Sequence, residues 1–203
     1  MRKWLLIWVW HISLTGLFGQ IPRIDHTRNY DRTYKDSLKA VAKKLLSDAD
    51  EQAVSPQQIT KKMQVLNLLG SLYLEDDYRD LDTSMVYNDQ LYELAKKQQN
   101  KSMLVAALLR REIKYRRAHD YVKSLELSLE ALKLCEQAGK DCTEGWRIQQ
   151  NLGQSFLRSA DYSNAEKYLL VALNELEKTP FEDQHNKQKY ILGIYSVLNT
   201  LYQ

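Results

Sequence analysis

Four residues recur at one interval. Tyr115, Tyr121, Ser124 and Ala131 each have a counterpart 41 positions later, at Phe156, Tyr162, Ala165 and Ala172. A fixed interval of this length marks a supersecondary unit that cannot bury its apolar face alone and must stack on its neighbours. Within the unit, two helical periods meet at a short polar turn. Ile148, Leu152 and Phe156 fall on one face of the first helix, and Ala165, Leu169, Ala172 and Leu176 on one face of the second. Asp161 stands at the junction, placed to accept first-turn N–H groups as an N-cap. Gly153 and Ala165 are small, which predicts a close antiparallel approach. Ala172 leaves room for the helix behind.

An earlier unit reads Leu69-Gly70-x-x-Tyr73, Asp77-Tyr78, Ser84 and Leu91. Tyr73 precedes Tyr115 by 42 residues and Ser84 precedes Ser124 by 40, so its internal turn is longer. A fourth unit opens at Leu198-Asn199-x-x-Tyr202. The order Leu-Gly-x-x-aromatic, Asp-Tyr, Ala, apolar, Ala resembles the tetratricopeptide repeat. That resemblance implies an all-α, right-handed solenoid of antiparallel helix pairs, with about 3.5 repeats over residues 34–203. The chain departs from the family pattern in places. The family's tryptophan position holds Leu66, Leu108 and Gln149, its glycine position holds Glu112 in the second unit, and Pro180 comes late for the closing proline. The incomplete last unit leaves Leu198, Leu201 and Tyr202 on a face without a second helix. This predicts either a longer protein of which this is the N-terminal part, or an imperfect terminal cap.

The start of the chain is of another kind. Arg2 and Lys3 precede an apolar run from Trp4 to Phe18, and polar sequence follows Gly19. The pattern predicts a signal peptide over residues 1–19, or an uncleaved anchor with Trp4, Trp8 and Trp10 at the interface. An exposed leader over residues 20–33 follows. Export places the protein in the periplasm, free or membrane-anchored. Without Arg2 and Lys3 the chain has 27 basic against 26 acidic residues, a balance that gives no reason to expect nucleic acid. The membrane is reached only through an uncleaved leader or a missing C-terminal span.

Eight helices are expected and no sheet, since no segment alternates with period two. They run from Tyr34 to Ala49 (Leu38, Val41, Leu45 and Leu46 facing inward), Pro56 to Leu74, Asp82 to Lys97, Ser102 to Arg117, Tyr121 to Gln137, Thr143 to Ser159, Tyr162 to Lys178 and His185 to Tyr202. Ser55-Pro56-x-Gln58 reads as a capping box.

No phosphate loop, nucleophile elbow or zinc spacing occurs, and His11, His26, His119 and His185 lie in the leader or in turns. The expected protein is therefore not an enzyme and uses no cofactor or metal. Cys135 and Cys142 bracket a turn between units and form either a disulfide or two free thiols. Arg110, Arg111, Lys114, Arg116 and Arg117 form a basic run that reads as a solvated face. The resemblance implies an inner wall built from the first helix of each unit, at places that do not carry packing. Those places are Gln64, Asn67 and Ser71, then Ala106, Leu109, Arg110 and Ile113, then Arg147, Gln150, Asn151 and Gln154. Amides there suit a peptide backbone and Arg147 a carboxylate. The alternative is a merely water-facing polar surface. The resemblance thus implies a protein or peptide ligand. The layout is similar to the outer repeats of bacterial membrane-bound sensor kinases and regulators. A free-standing periplasmic adaptor and a helical carbohydrate-binding protein are the alternatives.

Overall fold

The computed structural model describes residues 32–50, 55–74, 80–139, 142–181 and 184–203. The expected signal peptide, most of the leader and the Asp77-Tyr78 pair lie outside the described residues. Eight helices account for nearly all of them, with no strand among them: α1 (Arg32–Asp50), α2 (Pro56–Leu74), α3 (Leu81–Lys97), α4 (Lys101–Arg117), α5 (Tyr121–Ala138), α6 (Gly145–Arg158), α7 (Tyr162–Lys178) and α8 (Gln184–Leu201). Each packs on its sequence neighbours, and α2 also touches α4 as α6 touches α8.

Local chemistry sets the helix ends. The capping box at α2 closes: Ser55 N–H donates to Gln58 Oε1 at 2.7 Å, and Gln58 N–H donates to Ser55 Oγ at 3.3 Å. One turn device recurs three times, between α3 and α4, α4 and α5, and α6 and α7. A non-glycine residue (Gln99, His119 or Ala160) takes a left-handed φ of 52°, 61° or 59°. The next N–H (Asn100, Asp120 or Asp161) reaches back to Ala95 O, Tyr115 O or Phe156 O at 2.9–3.0 Å, which closes the C-terminus of the helix. The side chain of that same residue then caps the following helix, accepting the N–H of Met103, Lys123 or Asn164.

At α3 the cap is Asp80, whose Oδ1 accepts from Thr83 N–H at 3.0 Å. The helix therefore opens at Leu81 rather than Asp82. Asp80 precedes Ser84 by four residues, as Asp120 precedes Ser124 and Asp161 precedes Ala165. Its N–H reaches Tyr73 O over seven residues where the other turns span five, so this turn is longer by two.

The apolar interior runs as four clusters shared between neighbouring helices. On α2, Met63 and Leu66 share a buried cluster with Leu91 and Ala95 of α3, while Gly70 O accepts Ser84 Oγ at 2.7 Å and Tyr73 stacks on Tyr87. On α4, Val105 and Leu108 cluster with Leu127 and Ala131 of α5. On α6, Trp146 clusters with Leu169, Ala172 and Leu176 of α7, and Phe156 stacks on Tyr168 at a centroid distance of 5.3 Å. A Cβ at Gly153 would lie 2.6 Å from Leu169 Cγ and 3.2 Å from Ala165 O, so glycine is what permits this helix contact. Leu69 and Leu152 are fully buried in the clusters. Tyr115 and Tyr121 are half-buried, and the Tyr121 hydroxyl meets His119 Nδ1 at 2.7 Å.

Three expectations are corrected. Tyr162 is 56% exposed and joins none of the apolar clusters; it is the first residue of α7, ahead of the buried Ala165, Leu169, Ala172 and Leu176. Val41 is exposed, and Ala42 takes the inward place beside Leu38: α1 packs chiefly on α2, and a face one residue in four suffices for that contact. The side chain of Leu45 lies outside the described set. Leu198 is buried against α7 and Leu201 half-buried, so of the three residues expected to be bare only Tyr202 is. Cys135 and Cys142 form a disulfide with a Cα separation of 5.2 Å, tying the end of α5 to the segment that leads into α6.

Candidate binding row and its polar interior

The first helices of the expected units, α2, α4 and α6, carry the candidate residues. Arg110 on α4 points inward and is 6% exposed. It leaves the basic run, whose Lys114 and Arg117 stay in solvent. Gly70 makes the space: a Cβ there would sit 2.9 Å from Arg110 Nε. Neutral acceptors receive the guanidinium. Nε donates to Asn88 Oδ1 at 2.9 Å, Nη1 to Ser71 Oγ at 2.9 Å, and Nη2 to Asn67 Oδ1. Asn88 in turn donates to Ala107 O at 3.1 Å. Burial, with the like charge of Arg147 adding to it and Glu144 opposing, pulls Arg110 down to about 10. It remains a cation at neutral pH, bonded to no carboxylate among the described residues. Removing it strands three buried or half-buried polar groups.

A second polar cluster lies two residues further along α4. Glu112, at the place where the neighbouring units have glycine, is fully buried. Its carboxylate accepts Arg116 Nε at 2.9 Å, Ser124 Oγ at 2.7 Å and Asn151 Nδ2 at 3.0 Å, and Ser155 Oγ lies 3.0 Å from Ser124 Oγ. Glycine gives close approach to α7 in α6, and room for the Arg110 side chain in α2. In α4 a carboxylate bridges the same gap through hydrogen bonds to the small residue opposite.

Arg147 is half-buried and pairs with Glu144 at 3.0 Å. Burial opposes its charge, but Glu144, Tyr190 and Glu112 outweigh that and raise it above the ordinary arginine value. Gln64, Gln150 and Gln154 are half-buried, and their side-chain amides make no hydrogen bond among the described residues. Ala106 and Ile113 are half-buried and Leu109 is buried in the core.

The candidates thus divide. Asn67, Ser71, Arg110 and Asn151 hold the helices together. Gln64, Gln150 and Gln154, with the outer part of Arg147, keep amide and guanidinium capacity for something else. Sequence reasoning missed Asn88 and Glu112 as interior polar anchors. The signal for Glu112 was its place in the repeat, where a glycine was expected. Trp146 is buried against α7 and Phe181, so no tryptophan face is open to a sugar ring among the described residues. There is no cluster of three or more metal-binding side chains among them, and no helix long and apolar enough to cross a membrane. No family model matches the chain, and no curated protein matches it.

Proposed function

We propose that this chain is an exported α-solenoid of tetratricopeptide-like helix pairs that binds an extended peptide or a partner helix along α2, α4 and α6. In this reading it is the outer, ligand-sensing part of a signal-transduction protein. The observation that carries it is the set Gln64 on α2 and Gln150 and Gln154 on α6: half-buried amides whose side chains have no hydrogen-bond partner among the described residues. An amide offers a donor and an acceptor and matches a peptide backbone. The recurrence of one turn device, the close helix contact at Gly153, and packing confined largely to successive helices support the solenoid. Fixed anchors such as Arg110 and Glu112 hold neighbouring first helices in register, so that the row is rigid before a ligand arrives.

The test is a selection from a displayed library of random twelve-residue peptides on the full chain. The enriched peptide is then titrated against the parent and a Gln64→Ala/Gln150→Ala/Gln154→Ala variant. A loss of about tenfold or more, with unchanged melting, supports the reading. Equal affinity refutes it.

A further inference from the structure

The start of α6 is held differently from its neighbours. At the α3–α4, α4–α5 and α6–α7 junctions a left-handed residue ends one helix, and an asparagine or aspartate side chain caps the next. The residue in the capping place of α6 is Glu144, and its side chain makes no cap bond. No acidic residue stands in the first turn, which opens on Gly145, a poor helix former. At 14 residues, α6 is also the shortest of the eight helices. A covalent bond stands where the cap is missing. Cys135 belongs to the last turn of α5, where its carbonyl accepts Gly139 N–H, and it is bonded to Cys142, three residues before Gly145. Both cysteines are half-buried, packed at the edge of the cluster that holds Ile148 and Leu152, and not sealed inside it.

Glu144, two residues on from Cys142, has two tasks. Its carbonyl accepts Arg147 N–H at 3.1 Å and Ile148 N–H at 3.0 Å, and its carboxylate accepts the Arg147 guanidinium at 3.0 Å. Trp146 and Ile148 are buried, so packing holds the body of α6 while the bridge holds the approach to its first turn.

We propose that the Cys135–Cys142 disulfide is a redox latch on the first turn of α6. In the oxidised chain it keeps Glu144 against Arg147. A dithiol reductant opens it by exchange: the sulfur–sulfur bond of the chain breaks, one forms within the dithiol, and the two dithiol protons end on Cys135 and Cys142. Glu144 then moves away with Cys142, the first turn opens, and Arg147 loses its carboxylate. No ligand on the amide row is needed for this.

The test is residue-resolved amide hydrogen exchange of the full, isotope-labelled chain before and after reduction by dithiothreitol. Arg147 and Ile148 should exchange about tenfold faster or more in the reduced chain. Asp120 and Asp161, whose N–H groups close two of the other turns, should keep their rates. A Cys135→Ser/Cys142→Ser chain should show the reduced pattern with or without dithiothreitol. Unchanged rates at Arg147 and Ile148 after complete reduction overturn the proposal. So does acceleration by the same factor at Asp120 and Asp161, or a double-serine chain that fails to fold, since the bridge would then be a staple for the whole fold. A bond that survives excess dithiothreitol in the folded chain overturns it as well, because no reductant would reach the latch.

Discussion

Gly153→Ala adds one methyl group, and the structure predicts both its sign and how to reverse it. In an exposed helix this exchange stabilises by about 1 kcal/mol, since glycine loses more backbone freedom than alanine. Here the new Cβ would lie 2.6 Å from Leu169 Cγ, 2.8 Å from Leu169 Cδ2 and 3.2 Å from Ala165 O. Carbon atoms do not sit that close, and Leu169 is fully buried beside Trp146, Ala172 and Leu176 with nowhere to turn. Overpacking of this kind costs about 1–3 kcal/mol, which leaves a net loss of about 1–2 kcal/mol. Leu169→Ala alone should cost about 2–5 kcal/mol through the cavity it opens. In that background the clash with Leu169 is gone, and Gly153→Ala should become neutral or stabilising. The two sites should therefore couple by about 2 kcal/mol. Urea unfolding of the parent, both single variants and the double variant measures this. A Gly153→Ala chain more stable than the parent in both backgrounds would refute the close approach of α6 and α7.

Four further outcomes follow from the geometry. Ala160→Gly places glycine in a left-handed turn and should raise stability by about 0.5–1 kcal/mol in the same unfolding assay, as should Gln99→Gly. Arg110→Ala strands Asn67, Ser71 and Asn88 and opens space beside Gly70, and should cost about 3–5 kcal/mol, while the half-buried, Glu144-paired Arg147→Ala should cost under about 1 kcal/mol. Reducing the Cys135–Cys142 disulfide, or replacing both cysteines by serine, releases a short loop and should cost about 2–3 kcal/mol, seen as a lower melting temperature. Asp80 and Asp161 titrate below the ordinary carboxylate value, chiefly through hydrogen bonds to Thr83 and Asn164. Their contribution is complete above about pH 4 and is lost as pH falls through the lowered folded values. Asp80→Asn/Asp161→Asn chains should melt with a shallower acid slope there.

Much of the architecture was readable because it is local. Helix ends follow from caps, and Asp161 and the Ser55–Gln58 box are decided within four residues of the chain. The α3 start was less plain because Asp77, Asp80 and Asp82 are all competent caps; only the four-residue distance to Ser84 selects Asp80. The candidate row was legible in part. Its helices and positions are what the repeat resemblance implies, but which polar residues remain available depends on neighbours far away in sequence. Arg110 reads as a solvated cation until Gly70, forty residues earlier, is seen to vacate the space it enters. Glu112 reads as a departure from the repeat until Ser124 and Asn151 are brought to its carboxylate.

The central claim is that a ligand lies along α2, α4 and α6, and its most direct test is residue-resolved. With the library-selected peptide bound to the isotope-labelled chain, the side-chain amide resonances of Gln64, Gln150 and Gln154 should shift together and saturate at one affinity. Unmoved glutamine amides, with shifts gathered instead around the exposed Leu129 and Leu170 of α5 and α7, would contradict it.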